Sequence, residues 1–361
     1  MTPDGPSSLS ELARSAAELE QLRASADGVL RKVWSASSFR SLLDGPGPVF
    51  DPKLWQTIVE AGWADVLVSQ AAEGGGGGLR DLCVLAEAAG AASAPVPLAM
   101  AAAAGWCENR CADGIGLLLP ERGERTAAGV SGVWPLVPFG AVATKLLVCA
   151  GDGESAVLGV VDPAEAGVVR EPVTPLDHNP GARITLSDTP IQVLEAGPGA
   201  ARRHGEAALR GLIGRVAELV GIAAAANEAA TEYAKLRVAF GRPIGAFQAI
   251  KHRLVDQRCA IEIGRALVNR AADACQHGHP EAPALGSLAA FWGIDALRAV
   301  PEGATQVFGG IAYTWEHDAH IYLRRAASAA ANLGTRAYHR EVATRWLTAR
   351  HPGDRDRESV T

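Results

Sequence analysis

The chain has 361 residues, of which 48% are hydrophobic and 20% are charged, and its formal net charge is −6. This apolar content is enough for one large core or several smaller ones, and the absence of a basic stripe argues against nucleic-acid partners. With no apolar run near the roughly 20 residues that span a bilayer, and no signal-peptide pattern at the N-terminus, we expect a cytoplasmic protein with no membrane partner.

Residues 1–113 predict an α-helical N-terminal domain. Apolar residues recur at helical spacing in stretches such as 54–63, and the Pro-Gly run at 45–48 separates the early helices. Five consecutive glycines at 74–78 lack the Lys-Ser/Thr of a phosphate-binding loop, which favours a plain, flexible linker.

The six cysteines are scattered, and their pattern predicts free thiols in a reducing compartment. Cys107 and Cys111 form the one close pair, but no second pair or histidine at ligand spacing completes a zinc site. The sequence therefore predicts no metal centre.

The pattern of apolar and β-branched residues changes twice after the first domain. Residues 114–198 predict a small β domain, because short runs rich in β-branched residues alternate with Gly, Pro and Asp. Residues 199–351 predict a helical bundle, since apolar positions such as Leu212, Val216 and Leu219 recur at helical spacing. The charged residues 352–361 predict a frayed tail.

The segment from Tyr233 to Gln248 is the most informative part of the chain. A Gly-Pro break separates two helical stretches, and Arg237, Phe240 and Gln248 surround this break. An arginine can bind phosphate oxygens through two parallel hydrogen bonds, while an aromatic face and an amide can contact a purine. An ordinary helix hairpin needs the glycine and proline but not the arginine or glutamine. The segment therefore favours a site for a diphosphate and a purine.

A second segment, residues 306–325, carries Gln306 and the paired glycines Gly309 and Gly310. Paired glycines allow positive φ angles and close backbone approach, so that amide groups can face a cofactor. The same glycines can also end one helix while Asp318 begins the next. Both interpretations can hold at once.

Together, the two segments resemble the Arg-x-x-Phe-Gly, Pro-Ile, Phe-Gln signature and the Gln-x-x-Gly-Gly-x-Gly-Tyr-x-x-Glu segment of the acyl-CoA dehydrogenase family. The resemblance implies an α+β multidomain fold with an α-helical N-terminal domain, a small middle β-barrel-like domain and a C-terminal four-helix bundle. It implies FAD as cofactor and an acyl-CoA substrate, and it allows an electron-transferring flavoprotein as electron acceptor. The cofactor contacts that it implies are Arg237, Phe240, Gly241, Gln248, Gln306, Gly309, Gly310 and Thr335.

The chain departs from the family at the catalytic base. Family members remove a proton next to the thioester with a carboxylate whose basicity is raised by desolvation. The positions that match the two base locations known in the family are Leu333 and Gly211, and neither can accept a proton. Glu206 and Glu218 lie on the same predicted helix as Gly211. The first points from a different face, and the second lies about 10 Å further along the axis.

The segments that line the flavin ring in the family also depart from its pattern. Leu136 and Pro138 stand where members usually carry an aromatic residue and a threonine, and proline has no N–H to donate. Arg324 and Arg325 suit a phosphate of CoA or the solvent equally well.

The residues that match the family's contacts to the FAD diphosphate and adenosine are present, whereas those that match its flavin-ring pocket and its catalytic base are absent. Three hypotheses follow from this difference. The leading one is a subunit of a heteromeric acyl-CoA dehydrogenase, similar to the paired actinobacterial enzymes that degrade steroid side chains, with a second subunit supplying the base. Another is an autonomous homo-oligomeric acyl-CoA dehydrogenase in which Glu316 is the base. The third is a non-redox acyl-thioester binding protein or lyase on the same fold, without FAD, in which Arg237 would serve an intersubunit salt bridge.

Overall fold

The computed structural model describes residues 16–110 and 112–350, and the side chain of Arg350 is not described. Cys111 and the predicted tail at 352–361 therefore lie outside the described residues, as does the start of the N-terminal domain. The other cysteines, Cys83, Cys107, Cys149, Cys259 and Cys275, are free thiols.

The N-terminal part of the described chain is helical. Its helices are α1 (Ala16–Val33), α2 (Ala36–Leu43), α3 (Pro52–Glu60), α4 (Leu79–Ala91) and α5 (Leu98–Glu108). Local sequence sets where two of them begin. The Ser35 hydroxyl accepts the backbone N–H of Ser38 at the start of α2, and the Asp51 carboxylate accepts that of Lys53 at the start of α3.

The glycine run at 74–78 is an ordered turn, so the prediction of a plain linker was wrong. The backbone N–H groups of Gly76 and Gly77 donate to the carbonyls of Val68 and Val66, each at 2.8 Å. A Cβ built on Gly74 would lie 2.4 Å from the Cβ of Val68. The glycines allow the turn to pack closely against the preceding residues before α4 begins.

The middle part contains two four-stranded sheets. Its strands are β1 (Gly116–Leu118), β2 (Glu124–Arg125), β3 (Val130–Val137), β4 (Lys145–Ala150), β5 (Val157–Val161), β6 (Val168–Val173), β7 (Gly181–Thr189) and β8 (Gln192–Ala196). One sheet has the order β1-β4-β5-β8, with β1 parallel to β4, and the other has the antiparallel order β2-β3-β7-β6. Within the described residues these strands do not close into a barrel.

The C-terminal part is a bundle of long helices. Its elements are α6 (Pro198–Leu236), a small hairpin of β9 (Val238–Ala239) and β10 (Arg242–Pro243), α7 (Gln248–Gln276), α8 (Ala282–Trp292), α9 (Arg298–Phe308), α10 (Ala319–Ala331) and α11 (Arg336–Arg350). A π-helical turn, Gly293–Leu297, joins α8 to α9. The order of helices, sheets and helices confirms the predicted α+β fold class. Over residues 16–110 and 112–350, no helix has the combination of length and apolar character that crossing a membrane requires.

Helices α4 and α6 cross so closely that glycine is required at the contact. A Cβ on Gly221 would lie 2.0 Å from the carbonyl oxygen of Glu87, and a Cβ on Gly90 would lie 2.0 Å from that of Glu218. No side chain fits at such a distance without moving the backbone.

We expect Gly221→Ala to lower the free energy of unfolding by about 1–3 kcal/mol, because the added methyl group forces α4 and α6 apart. Gly205, on the same helix, is the matched control, since a Cβ there would meet nothing within 4 Å. Gly205→Ala should raise the free energy of unfolding by about 0.4–1 kcal/mol. Urea denaturation of both variants checks the prediction, and equal shifts of the two midpoints would contradict it.

Candidate functional site

The two informative sequence segments meet at one end of the C-terminal bundle. The last turns of α6 and α9 pack through a small apolar cluster that includes Ala234 and Phe308. The Tyr233 ring makes an edge contact with the Phe308 ring, with centroids 5.2 Å apart. This packing brings residues 236–248 and 306–313 to the same place, which we call the exposed end.

The first segment presents an aromatic ring on a tight hairpin. Arg237 directly follows the last residue of α6, and its carbonyl accepts the N–H of Ile244 at 2.8 Å, which closes the hairpin. The turn residues Phe240 and Gly241 have φ angles of 51° and 77°. Phe240 is 95% exposed, and a bulky residue at positive φ is a strained feature that clusters at functional sites. The hairpin therefore holds this ring out from the chain's own core.

The second segment presents open backbone. Gln306 is exposed on α9, and Gly309 ends that helix with a φ of 68°. A Cβ on Gly309 or Gly310 would meet nothing within 4 Å. Positive φ explains the glycine at position 309, but Gly310 has neither a positive φ nor a close neighbour. Nothing within the described residues requires glycine at position 310, and the backbone there is open to approach from outside.

The exposed end also carries large apolar side chains. Leu236, Val238 and Tyr313 are 79%, 58% and 81% exposed. Exposed apolar surface grouped in this way commonly marks an interaction site. Gln248, the first residue of α7, is exposed beside them.

The predicted cofactor contacts fall into two groups. Arg237, Phe240, Gly241, Gln248, Gln306, Gly309 and Gly310 share the exposed end. Thr335 instead lines a cavity of about 890 Å³ whose walls include residues between Arg202 and Arg215 of α6. At about 1.5 Å per residue, Arg215 lies roughly 30 Å along the helix from Arg237. The structure therefore separates Thr335 from the rest of the set.

The two positions that match the family base offer no proton acceptor. Leu333 is buried and lines the 890 Å³ cavity. Gly211 faces α5, where a Cβ would lie 3.4 Å from the Cβ of Ala103. Glu316 is exposed in the turn before α10, and it is not among the residues that line this cavity or the smaller one beside Pro138.

The space beside Pro138 and Phe139 is a cavity of about 50 Å³, enough for a few water molecules. Arg325 and Glu218 line it from the helical side, and the Arg325 guanidinium donates to the Glu218 carboxylate at 2.5 Å. Burial raises the pKa of the Glu218 carboxyl, although the positive charge of Arg325 opposes the shift. The tricyclic flavin ring of FAD, which the family resemblance implies, is larger than this volume and would fit only if these side chains moved.

This ion pair corrects the prediction that Arg325 faces either the solvent or a phosphate of CoA. Arg325 is 3% exposed and also donates to the carbonyl of Ala94 at 3.0 Å, so it serves neither solvent nor a phosphate at the surface. The sequence alone assigns no role to Glu218, and its pairing with Arg325 is not predictable from the sequence because the partners lie 107 residues apart. Across the described part of the chain, no group of three or more His, Cys, Asp or Glu residues is arranged to hold a metal ion.

Comparison with known proteins places these features in context. Residues 210–348 match the model of the acyl-CoA dehydrogenase C-terminal domain. Acyl-CoA dehydrogenase IpdE2 of Mycolicibacterium smegmatis is 31% identical over 324 residues, which is 88% of this chain and 94% of that protein. Acyl-CoA dehydrogenase FadE34 of Mycobacterium tuberculosis is 35% identical over 282 residues, which is 74% of this chain but only 38% of FadE34.

The fold also has close structural relatives. In the crystal structure of the ChsE4-ChsE5 complex from Mycobacterium tuberculosis, one chain superimposes with a TM-score of 0.82 at 22% sequence identity. The match covers 94% of this chain and 99% of that chain. At this identity the similarity shows a shared fold.

Proposed function

Because the chain belongs to the acyl-CoA dehydrogenase family, we propose that it is one subunit of a heteromeric acyl-CoA dehydrogenase. In this assembly it contributes contacts to the diphosphate and adenosine of FAD, while a second subunit supplies the flavin-ring pocket and the catalytic base. When bound, FAD would accept the hydride that leaves the β carbon of the acyl thioester.

The observation that carries the proposal is the contrast between the exposed end and the interior. At the exposed end, Arg237 can donate two parallel hydrogen bonds to a diphosphate, and Gln306 can contact it through its amide. The open backbone at Gly309 and Gly310 leaves room for the cofactor to approach. The 95% exposed Phe240 offers an aromatic face to a purine. These residues fit the phosphate and adenosine portion of FAD.

The cavity beside Pro138, where the family pattern places the flavin ring, does not fit the rest of the cofactor. The cavity beside Pro138 has a volume of about 50 Å³, and the Glu218–Arg325 ion pair occupies its helical side. Leu333 and Gly211 cannot remove a proton from a substrate. We therefore assign neither a ring-binding nor a proton-removing step to this chain.

A partner chain explains both why the exposed end suits part of FAD and why this chain lacks a ring pocket and a base of its own. The exposed apolar side chains Leu236, Val238 and Tyr313 give the surface that such a partner would cover. The ChsE4-ChsE5 complex, in which one chain has the same fold, is itself an assembly of two different proteins. A pair of unlike subunits allows one to lose its own pocket while the other keeps the full set of catalytic groups.

Purification of the chain alone, and together with acyl-CoA dehydrogenase partners encoded by neighbouring genes, tests the proposal. We expect colourless protein from the chain alone and flavin absorbance from one co-expressed pair, with one flavin for each pair of subunits. Flavin bound by the chain alone would favour the autonomous enzyme. Colourless protein in every combination would favour the non-redox alternative.

Flavin bleaching by substrate in the same co-purified assembly tests whether Glu316 is the base. Because this carboxylate is exposed and lies outside both cavities, Glu316→Gln should leave substrate-dependent bleaching of the flavin unchanged. Loss of bleaching in this variant, with flavin content unchanged, would make Glu316 the base.

A further inference from the structure

The largest cavity described above, about 890 Å³, lies between the first half of α6 and α11. Ala208, Leu209 and Leu212 of α6 form one apolar wall, and Pro283 and Val342 lie opposite on α8 and α11. This volume is in the range of pockets that hold small organic ligands.

The rim of this cavity is unfavourable for a ligand with many negative charges. Arg202 is its one exposed cation among the residues described, and that side chain already pairs with Glu206 at 3.7 Å. Glu121 adds a second exposed carboxylate to the rim. The diphosphate and 3′-phosphate of a CoA thioester would bring several negative charges to this place, where like charges repel.

The cavity wall also holds a cation, Arg215, that has no ion-pair partner within 4 Å among the described residues. The carboxylates of Glu218 and Glu121 attract its guanidinium only from longer range. The Nη1 of Arg215 donates to the carbonyl of Asn332 at 2.5 Å, whereas its Nε has no hydrogen-bond partner among the described residues. Glu218, one turn along α6, is engaged by Arg325, and burial lowers the pKa of the Arg215 guanidinium. A partly buried cation that has only distant carboxylates is incompletely compensated, and an anionic ligand group that pairs with it directly would lower this cost.

We propose that this cavity binds a hydrophobic monocarboxylate. The carboxylate pairs with Arg215, and the hydrocarbon body lies against the apolar wall formed by Ala208, Leu209 and Leu212. A neutral thioester carbonyl would leave the cation unpaired. Because Leu333 and Gly211 provide no base, the ligand is bound and not converted. This site is separate from the exposed end, so the proposal stands or falls independently of the proposed subunit role.

Calorimetric titration of the purified chain with three matched probes tests the ligand class. Decanoate carries one negative charge, decan-1-ol carries none, and decanoyl-CoA carries several on the same hydrocarbon length. We expect saturable binding of decanoate, and affinities at least about tenfold lower for the alcohol and for the thioester. Absence of saturable decanoate binding, or tighter binding of decanoyl-CoA, would overturn the proposal.

Variants then test the assigned residues. Arg215→Met should weaken decanoate binding by about 10- to 100-fold and leave decan-1-ol binding unchanged. Arg203→Met is the matched control, because Arg203 is on the same helix, pairs with Glu195 at 3.5 Å and does not line this cavity. Ala208→Phe fills the cavity from the wall away from the cation and should weaken both ligands. If Arg215→Met does not fold, Ala208→Phe still tests the site, and unchanged decanoate affinity in either folded variant contradicts it.

Discussion

Replacing Arg237 with methionine should lower the flavin content of the co-purified assembly at least tenfold while the two subunits stay associated. Charge-assisted hydrogen bonds contribute about 1.5–3 kcal/mol each, and methionine keeps the length of the side chain without its charge or donors. Arg237 is exposed, so the fold itself does not depend on its guanidinium. The ratio of flavin to protein absorbance after gel filtration gives the measurement.

The neighbouring hairpin supplies a matched control. The Arg242 guanidinium lies 4.1 Å above the Phe247 ring. Arg242 is not among the predicted cofactor contacts. Arg242→Met should therefore leave the flavin content close to that of the unmodified assembly. Equal flavin loss in the two variants would mean that the hairpin acts through its fold or its general charge, and would remove Arg237 from the site.

Gly310→Ala separates cofactor contact from folding in the same experiment. A Cβ at this position meets nothing within 4 Å in the chain, and its φ is not positive, so the chain folds as before. If the partner or the cofactor approaches this backbone closely, the added methyl group lowers flavin retention without changing the unfolding midpoint. Unchanged retention would leave Gly310 without a role.

The exposed end could be predicted from the sequence because its residues are local. Arg237, Phe240 and Gln248 lie on one hairpin and the helix that follows it, so their spacing determines most of their geometry. The second segment, from Gln306 to Tyr313, is equally compact. What the sequence could not supply was the apolar contact between α6 and α9 that joins the two segments.

The interior could not be predicted, because its chemistry depends on distant residues. Arg325 and Glu218 meet only when α10 packs against α6, and neither sequence neighbourhood signals the other. Arg215 likewise contacts Asn332 across 117 residues. The glycine run at 74–78 shows the same limit on a smaller scale, since composition indicated a linker whereas the hydrogen bonds to Val66 and Val68 form a turn.

Among the substitutions proposed here, replacement of Arg325 should lower the free energy of unfolding the most. Arg325→Met removes the ion-pair partner of Glu218, whose carboxylate lines the 50 Å³ cavity and whose side chain is 22% exposed. Breaking a fully buried pair costs about 3–5 kcal/mol, and for this partly exposed carboxylate, which Arg215 also attracts, we expect a loss of about 2–3 kcal/mol. The adjacent Arg324 is the matched control, since it is less buried and donates to the carbonyl of Leu176 at 3.3 Å. Arg324→Met should cost less than about 1 kcal/mol. Urea unfolding of both variants provides the comparison.

The pH dependence of this loss identifies its cause. Burial already raises the pKa of the Glu218 carboxyl, and removal of Arg325 should raise it further. An acid whose pKa is higher in the folded state contributes stability below its unfolded pKa, and this contribution is lost as the pH rises through its folded pKa. The deficit of Arg325→Met should therefore shrink at acidic pH and grow toward neutral pH.

The double variant Arg325→Met with Glu218→Leu removes the unpaired charge along with its partner and should recover most of the stability at neutral pH. A deficit that ignores pH, or a double variant no more stable than the single one, would show that Arg325 acts through packing and its bond to Ala94.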